Sequence, residues 1–144
     1  MDRFARETAI KWACESGNEK CLNDMFAQVH VIGHHDRSAP KGLEEVIYCN
    51  GLRGINKQNE WLWMWQKMKE SKDKRERSVI LKSLGCSEDE EILISYLESA
   101  YGSTSDVNYS WNETWEVFNA VATSRAGVKA FVALYRKHRE LARG

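Results

Sequence analysis

Residues 40–68, PKGLEEVIYCNGLRGINKQNEWLWMWQKM, decide how the chain folds, because they hold two apolar helical patterns separated by a glycine-marked break. The first pattern, from Gly42 to Gly51, places apolar residues at helical spacing, and Gly51 and Gly54 supply stop signals. The second pattern runs from Lys57 to Glu70 and carries an apolar stripe at i, i+3, i+4 and i+7: Trp61, Met64, Trp65 and Met68. Trp63 falls on the other side of this helix. The stretch therefore predicts a helical hairpin covered on two faces.

The tryptophan and methionine stripe has two interpretations. It suits a ligand surface, because methionine adapts its shape and tryptophan is a frequent binding anchor. It also suits a core, since large apolar side chains are usually buried. We adopt the core interpretation.

Length and composition predict one soluble globular domain. The chain has 144 residues, enough to bury a sizeable core. Its 21 basic and 21 acidic residues cancel, which gives no electrostatic reason to expect nucleic acid or an anionic membrane as a partner. No apolar run approaches the roughly twenty residues that span a bilayer. The first residues, MDRFARETAIKW, do not resemble a signal peptide, so we expect either a cytosolic protein or a piece of a longer one.

The cysteines and two sequons favour a secretory environment. Four cysteines (Cys14, Cys21, Cys49 and Cys86) allow three disulfide connectivities, with free buried thiols as the alternative. Asn108-Tyr109-Ser110 and Asn112-Glu113-Thr114 are acceptor tripeptides for N-glycosylation. We therefore expect a lumenal or extracellular fragment, with Asn108 the better acceptor because it lies in a predicted loop and Asn112 in a first helical turn.

The remaining sequence predicts further helices. Residues 2–16 and 18–31 form an αα-hairpin with Asn18 as a cap. Residues 77–84 form a short helix, and the pattern Ser87-Glu88-Asp89-Glu90 opens the next one as a capping box. Another capping box begins at Ser110 and opens a helix whose apolar side consists of Trp111, Trp115, Phe118 and Ala122.

The last helix follows a predicted turn at residues 124–127. Its apolar residues are Val128, Phe131, Val132 and Tyr135, and its outer face is basic through Arg136, Lys137 and Arg139. About eight helices in antiparallel hairpins, without a strand signal, predict an all-α fold resembling a HEAT or armadillo α-solenoid over residues 1–144.

Three histidines lie close together but do not predict a metal site. His30 lies near the end of the second helix, and His34 and His35 fall in a predicted loop from Gly33 to Lys41. No carboxylate pattern completes a ligand set, and the cysteines lack zinc-finger spacing. We interpret them as surface histidines and predict no catalytic, cofactor-binding or metal-ligating residue in this chain.

An ordered series of short motifs resembles a known family. The series consists of Ala13-Cys14 with Gly17 and Cys21, Val46-Ile47-Tyr48-Cys49 with Gly51, Glu60-Trp61, Leu84-Gly85-Cys86, Val117-Phe118, and Ser124-Arg125-Ala126-Gly127. Together they resemble the C-terminal helical domain of M1-family zinc aminopeptidases, the group of aminopeptidase N and the endoplasmic-reticulum aminopeptidases. The resemblance implies disulfides Cys14–Cys21 and Cys49–Cys86, and a fragment of a longer C-terminal domain.

The resemblance also implies a function without catalysis. The zinc-binding HExxH and amine-binding GxMEN motifs of these enzymes are absent from this sequence, so zinc and hydrolysis are expected in the catalytic domain of the parent enzyme. The implied roles are capping the substrate chamber, contacting the C-terminal part of the peptide, closing the domains or forming a homodimer. The alternatives are a stand-alone extracellular module that binds a receptor or toxin, and a cytosolic helical-repeat binding protein with reduced cysteines.

Overall fold

The computed structural model describes residues 8–9, 12–14, 16, 18–35, 42–53, 57–101 and 107–143. These ranges contain helices and no strand, so the all-α prediction is confirmed. The helices are α1 (Glu19–His35), α2 (Glu44–Leu52), α3 (Gln58–Glu70), α4 (Lys74–Leu84), α5 (Glu90–Tyr101), α6 (Trp111–Ala122) and α7 (Arg125–Arg143). Residues 8–9 and 12–14 are also helical and Ser16 lies in a turn, whereas the other residues of the predicted helix at 2–16 lie outside the described residues.

Side-chain caps begin two helices where the sequence predicts them. The Asn18 side chain accepts a hydrogen bond from the backbone N–H of Cys21 at 3.0 Å. The predicted box before α6 is present, since the Ser110 hydroxyl accepts from the Glu113 N–H and the Glu113 carboxylate accepts from the Ser110 N–H. Each cap satisfies a donor that the first helical turn leaves without an intrahelical partner.

The start of α5 differs from the prediction. Asp89, and not Ser87, is the cap: its carboxylate accepts from the N–H groups of Glu91 at 3.1 Å and Ile92 at 3.4 Å. The Ser87 hydroxyl accepts a hydrogen bond from the backbone N–H of Asp89, before the helix begins. The helix begins at Glu90, so the aspartate lies next to the free N–H groups and supplies a charged acceptor.

The predicted loop beginning at Gly33 was wrong at its first residues, because α1 continues to His35. Ile32 and Val29 are buried in the core, and burial of this face outweighs the cost of about 1 kcal/mol for a glycine inside a helix. Residues 36–41 of that loop lie outside the described part of the chain.

Two glycines allow close approach between helices at positions where the sequence predicted only a helix end or a turn. Gly51 lies inside α2, and a Cβ there would stand 2.3 Å from Val29 Cγ2 of α1. Gly127 lies in the first turn of α7, which begins before the predicted turn ends, and a Cβ there would stand 1.6 Å from the Val121 carbonyl oxygen. Both positions require glycine because no side-chain atom fits between the paired helices.

Contacts between helices connect nearest and next-nearest elements. α4 packs against α3, α2 and α6, and α7 packs against α5 and α6. α1 packs on α2 and on α3, where Lys57 also lies over the Phe26 ring at 3.6 Å. Each of the seven helices contributes buried apolar side chains to one connected core cluster.

The last turn of α4 is the point where α3 and α5 meet. Trp61 of α3 donates its indole N–H to the Leu84 carbonyl oxygen at 2.9 Å. Tyr96 of α5 donates its hydroxyl to the Leu81 carbonyl oxygen at 2.5 Å. The Trp61 and Tyr96 rings touch edge to face with centroids 5.6 Å apart, and Trp65 stacks on Trp61. The predicted apolar stripe of α3 is therefore core, with Met64 and Met68 fully buried.

Replacing Trp61 by Phe tests the value of this hydrogen bond. Trp61→Phe leaves a buried carbonyl of Leu84 without its donor, which costs about 1–3 kcal/mol. Trp65→Phe is the matched control, because the Trp65 ring belongs to the same aromatic cluster and contacts the rings of Trp61 and Tyr96. Urea denaturation followed by circular dichroism should show a larger loss of unfolding free energy for Trp61→Phe. Equal losses in the two variants would contradict the assignment.

Candidate functional site

Two disulfides pair all four cysteines of the chain. Cys14–Cys21 links the helical residues 12–14 to the first turn of α1, with Cα atoms 5.2 Å apart. Cys49–Cys86 links α2 to the segment just after α4, with Cα atoms 5.3 Å apart. These are the pairs that the resemblance implies.

The longer disulfide acts at the same place as the Trp61 hydrogen bond. Cys86 lies two residues after Leu84, and its backbone N–H donates to the Ser83 carbonyl oxygen at 3.0 Å. The end of α4 is thus tied to α2 by a covalent bond and to α3 and α5 by hydrogen bonds. This junction fixes three helices, α2, α3 and α5, around the end of α4.

The two predicted glycosylation asparagines are both exposed, on either side of the Ser110 cap. Asn108 lies in a non-helical segment, whereas Asn112 is the second residue of α6. The hydroxyls of both sequons already bond to the backbone: Ser110 accepts from the Glu113 N–H at 3.2 Å, and Thr114 donates to the Ser110 carbonyl at 3.2 Å. Glycosylation itself stays a prediction.

A polar network that the sequence did not reveal joins α4 to α6. Arg77 and Glu113 form a hydrogen-bonded ion pair, and the Ser78 hydroxyl donates to the Glu116 carboxylate at 2.8 Å. Burial tends to raise the pKa of Glu113, but the Ser110 backbone N–H and Arg77 outweigh it and hold that pKa below its ordinary value. The ionised Glu113 carboxylate therefore stabilises the folded state at neutral pH. This contribution to the free energy of unfolding is lost as the pH falls through the lowered pKa of Glu113.

The seam between α6 and α7 carries an exposed apolar surface. We call it the α6–α7 apolar surface, and its residues are Trp111, Trp115 and Phe118 of α6 and Val128, Phe131, Val132 and Tyr135 of α7. Phe118 and Phe131 are partly buried and touch with ring centroids 6.0 Å apart. Trp111 and Trp115 are 75% and 51% exposed, although the sequence grouped them with the apolar face of this helix.

Helical register explains why these tryptophans are exposed. The residues of α6 that reach the core are Val117 and Val121, which lie on a neighbouring side of the helix from Trp111 and Trp115. The apolar arc of α6 is thus wider than the part that α4 and α5 cover. An apolar arc broader than one packing face is the sequence signal for such a surface.

The described residues contain no group of three or more His, Cys, Asp or Glu side chains placed to hold a metal ion. His30 instead pairs with Glu60 of α3, Nδ1 to Oε1, at 3.3 Å. The side chains of His34 and His35 lie outside the described residues. Among the helices in the described ranges, none has the length and apolar character needed to cross a membrane.

Comparison with known proteins identifies relatives of this chain. A sequence model of the family described as ERAP1-like C-terminal domain matches residues 1–142. Human aminopeptidase Q is 30% identical over 118 residues, which cover 80% of this chain and 11% of that protein. Rabbit (Oryctolagus cuniculus) aminopeptidase N is 27% identical over 100 residues, 67% of this chain and 10% of that protein. Rat thyrotropin-releasing hormone-degrading ectoenzyme is 24% identical over 99 residues, which cover 68% of this chain and 9% of that protein. The chain thus spans about a tenth of these relatives.

The two disulfides should stabilise the chain unequally. Their cysteines are 7 and 37 residues apart, so the chain-entropy relation assigns about 2.5 kcal/mol to Cys14–Cys21 and about 4 kcal/mol to Cys49–Cys86. The double variant Cys49→Ser/Cys86→Ser should therefore unfold at a lower denaturant concentration than Cys14→Ser/Cys21→Ser. The reverse order would show that the longer bridge does not constrain the unfolded chain.

Glycan attachment should favour Asn108 over Asn112 when the chain passes through a secretory pathway. Asn108 is exposed on non-helical backbone, whereas the Asn112 backbone is held in the first turn of α6. Peptide mapping of secreted protein measures the occupancy of each asparagine, and Asn108→Gln and Asn112→Gln are the matched variants. A glycan found on Asn112 alone would contradict this expectation.

Proposed function

Because the chain belongs to the ERAP1-like C-terminal domain family of the M1 aminopeptidases, we propose that it serves as a non-catalytic scaffolding domain packed against the catalytic domain of a zinc aminopeptidase. The match over residues 1–142 is the observation that carries this proposal. Zinc belongs to the catalytic domain of these enzymes, and this chain has neither the HExxH nor the GxMEN motif.

The proposed role is to cap the substrate chamber and contribute to peptide selection. Contact with the C-terminal part of a peptide, movement during domain closure and formation of a homodimer are the specific forms that the role takes in our proposal. The junction at the end of α4 supports it, because a domain that shapes a chamber must hold its helices in fixed relative positions.

We further propose that residues 1–144 form one helical-repeat domain with a HEAT- or armadillo-like arrangement. In such arrays each helix packs on its nearest and next-nearest neighbours. The contacts of α4 with α2, α3 and α6, and those of α7 with α5 and α6, follow this rule.

The proposed location is the secretory lumen, the cell surface or the extracellular space, with the chain as a glycoprotein. Two disulfides support an oxidising compartment, since cytosolic reductants keep most thiols reduced. The two exposed sequons add to this support. A cytosolic helical-repeat protein would need all four cysteines reduced.

A stand-alone extracellular interaction module is the second candidate, favoured by the α6–α7 apolar surface. Two largely exposed tryptophans beside further apolar residues are typical of a binding surface. This candidate predicts affinity for a folded protein and no dependence on a catalytic domain.

A chimera tests the scaffolding role. Residues 1–142 replace the matching segment of rabbit aminopeptidase N, and the same enzyme lacking that segment is the control. We expect the chimera to reach the cell surface and to release an amino acid from an aminoacyl-aminomethylcoumarin substrate, whereas the deletion control fails and residues 1–144 alone show no turnover with added zinc. Surface expression or turnover no better than the control would count against the proposal, and chelator-sensitive turnover by the chain alone would overturn its non-catalytic assignment.

A further inference from the structure

Basic residues are concentrated on one helix of a chain whose total charge is balanced. The whole sequence has 21 basic and 21 acidic residues. The α7 sequence alone holds six basic residues and one acidic residue, Glu140. We give the name α7 basic stripe to its four exposed cations Arg125, Lys129, Arg136 and Arg139. α7 therefore carries a local positive charge that the neutral total conceals.

Helical spacing places the α7 basic stripe on the outward side of α7. Its members follow one another at intervals of four, seven and three residues, so with about 3.6 residues per turn they lie along one side of the helix. The opposite side of α7 holds Ala130 and Leu134, which are buried in the core. From its first to its last Cα atom the stripe extends about 21 Å along the helix axis. The cations thus form a straight row that faces solvent.

The positive charge of the stripe is not cancelled within the described part of the chain. None of its four side chains forms an ion pair with another described residue. By contrast, Lys137 lies outside the stripe and pairs with Glu98 of α5 at 3.0 Å. Glu140 is exposed, so water and salt screen its effect on the neighbouring cations. The row is therefore open to an anionic ligand.

We propose that the α7 basic stripe binds a sulfated polysaccharide of the glycosaminoglycan class. Such a polysaccharide is a linear polyanion with sulfate and carboxylate groups along its length, so it complements a straight row of cations in both charge and shape. Three of the four cations are arginines, whose planar guanidinium groups can donate two parallel hydrogen bonds to one oxyanion. Binding releases the counterions held by the polyanion, so the affinity depends steeply on salt.

The choice of polyanion rests on the proposed lumenal or extracellular location, where sulfated polysaccharides occur. The scaffolding role and the binding site are otherwise independent, because polysaccharide binding is measured on the chain without a catalytic domain. Failure of the chimera would leave the binding site untouched. Failure of polysaccharide binding would leave the scaffolding role untouched.

An anionic membrane and a nucleic acid fit the α7 basic stripe less well. A membrane could also contact the neighbouring α6–α7 apolar surface, but the negatively charged leaflet of a cell membrane is the cytoplasmic one. A nucleic acid could neutralise the same cations, but the two disulfides indicate an oxidising compartment, unlike the cytosol and nucleus. Both ligands are included in the experiment as competing outcomes.

Two oligosaccharides of equal length test the proposal: a heparin-derived octasaccharide, and the same octasaccharide after chemical desulfation. Calorimetry with residues 1–144 measures both affinities over a range of salt concentrations. We expect the sulfated octasaccharide to bind at least about tenfold more tightly, because it presents more anionic groups to the same row of cations. The logarithm of its affinity should fall linearly with the logarithm of the salt concentration.

Charge variants locate the site on α7. Lys129→Glu/Arg136→Glu should weaken binding of the sulfated octasaccharide by at least about tenfold. Lys129→Gln/Arg136→Gln, which removes the charges without reversing them, should reduce the salt slope by about two, or about one for each lost contact. Lys72→Glu/Lys74→Glu is the matched control, because it makes the same change in net charge at exposed lysines around the start of α4. The control should leave the affinity unchanged.

Four results would overturn the proposal. They are equal affinities of the two octasaccharides, an unchanged affinity in folded Lys129→Glu/Arg136→Glu, an equal loss in Lys72→Glu/Lys74→Glu, and tighter binding of phosphatidylserine vesicles or single-stranded DNA than of the sulfated octasaccharide. The last result assigns the stripe to a membrane or a nucleic acid. Circular dichroism verifies folding, and if the glutamate variant does not fold, the salt slope of the glutamine variant decides.

Discussion

The carbonyl groups in the last turn of α4 are the constraint on which the rest of the structure depends. A helix leaves its final carbonyls without intrahelical donors, and at a buried end another group must supply them. Trp61 supplies the donor for Leu84 and Tyr96 supplies the donor for Leu81. Burial, with added repulsion from Tyr109, Glu116 and Glu113, raises the pKa of Tyr96 well above its ordinary value, so its hydroxyl remains protonated and able to donate.

This helix end combines two physically different kinds of constraint. The hydrogen bonds from α3 and α5 act on the folded chain, because they exist only when those helices are in place. The Cys49–Cys86 bridge acts largely on the unfolded chain, whose freedom it restricts. The close approaches at Gly51 and Gly127 add a steric requirement at helix pairs away from this point. The core is therefore held at several independent places, while the exposed apolar surface lies on α6 and α7.

Sequence patterns predicted the elements of the fold well where one physical effect dominated. The spacing of Trp61, Met64, Trp65 and Met68 predicted a buried helix face, and Ser110 with Glu113 predicted a capping box; the structure contains both. The prediction was less successful where two effects compete. Gly33 has a low helix propensity, yet burial of the α1 face outweighs it.

The α6–α7 apolar surface and the α4–α6 network could not be predicted from the sequence, for a different reason. Whether Trp111 lies in the core or on the surface depends on how α6 is rotated about its axis relative to α4 and α5. The apolar periodicity of the α6 sequence does not specify that rotation. Likewise, Arg77 lies in a mixed-charge run and Glu113 in a helix cap, 36 residues apart, so nothing local indicates that they pair. Long-range geometry decides both.

The position of Ser110 has a consequence for the order of events during biosynthesis. Its hydroxyl is the third position of the Asn108 sequon and also the acceptor that begins α6. A glycan-transferring enzyme that must bind this hydroxyl competes with the helix for it. Glycosylation of Asn108 is a prediction, and its occupancy would then record how long the Ser110 hydroxyl stays free of the helix cap in the nascent chain.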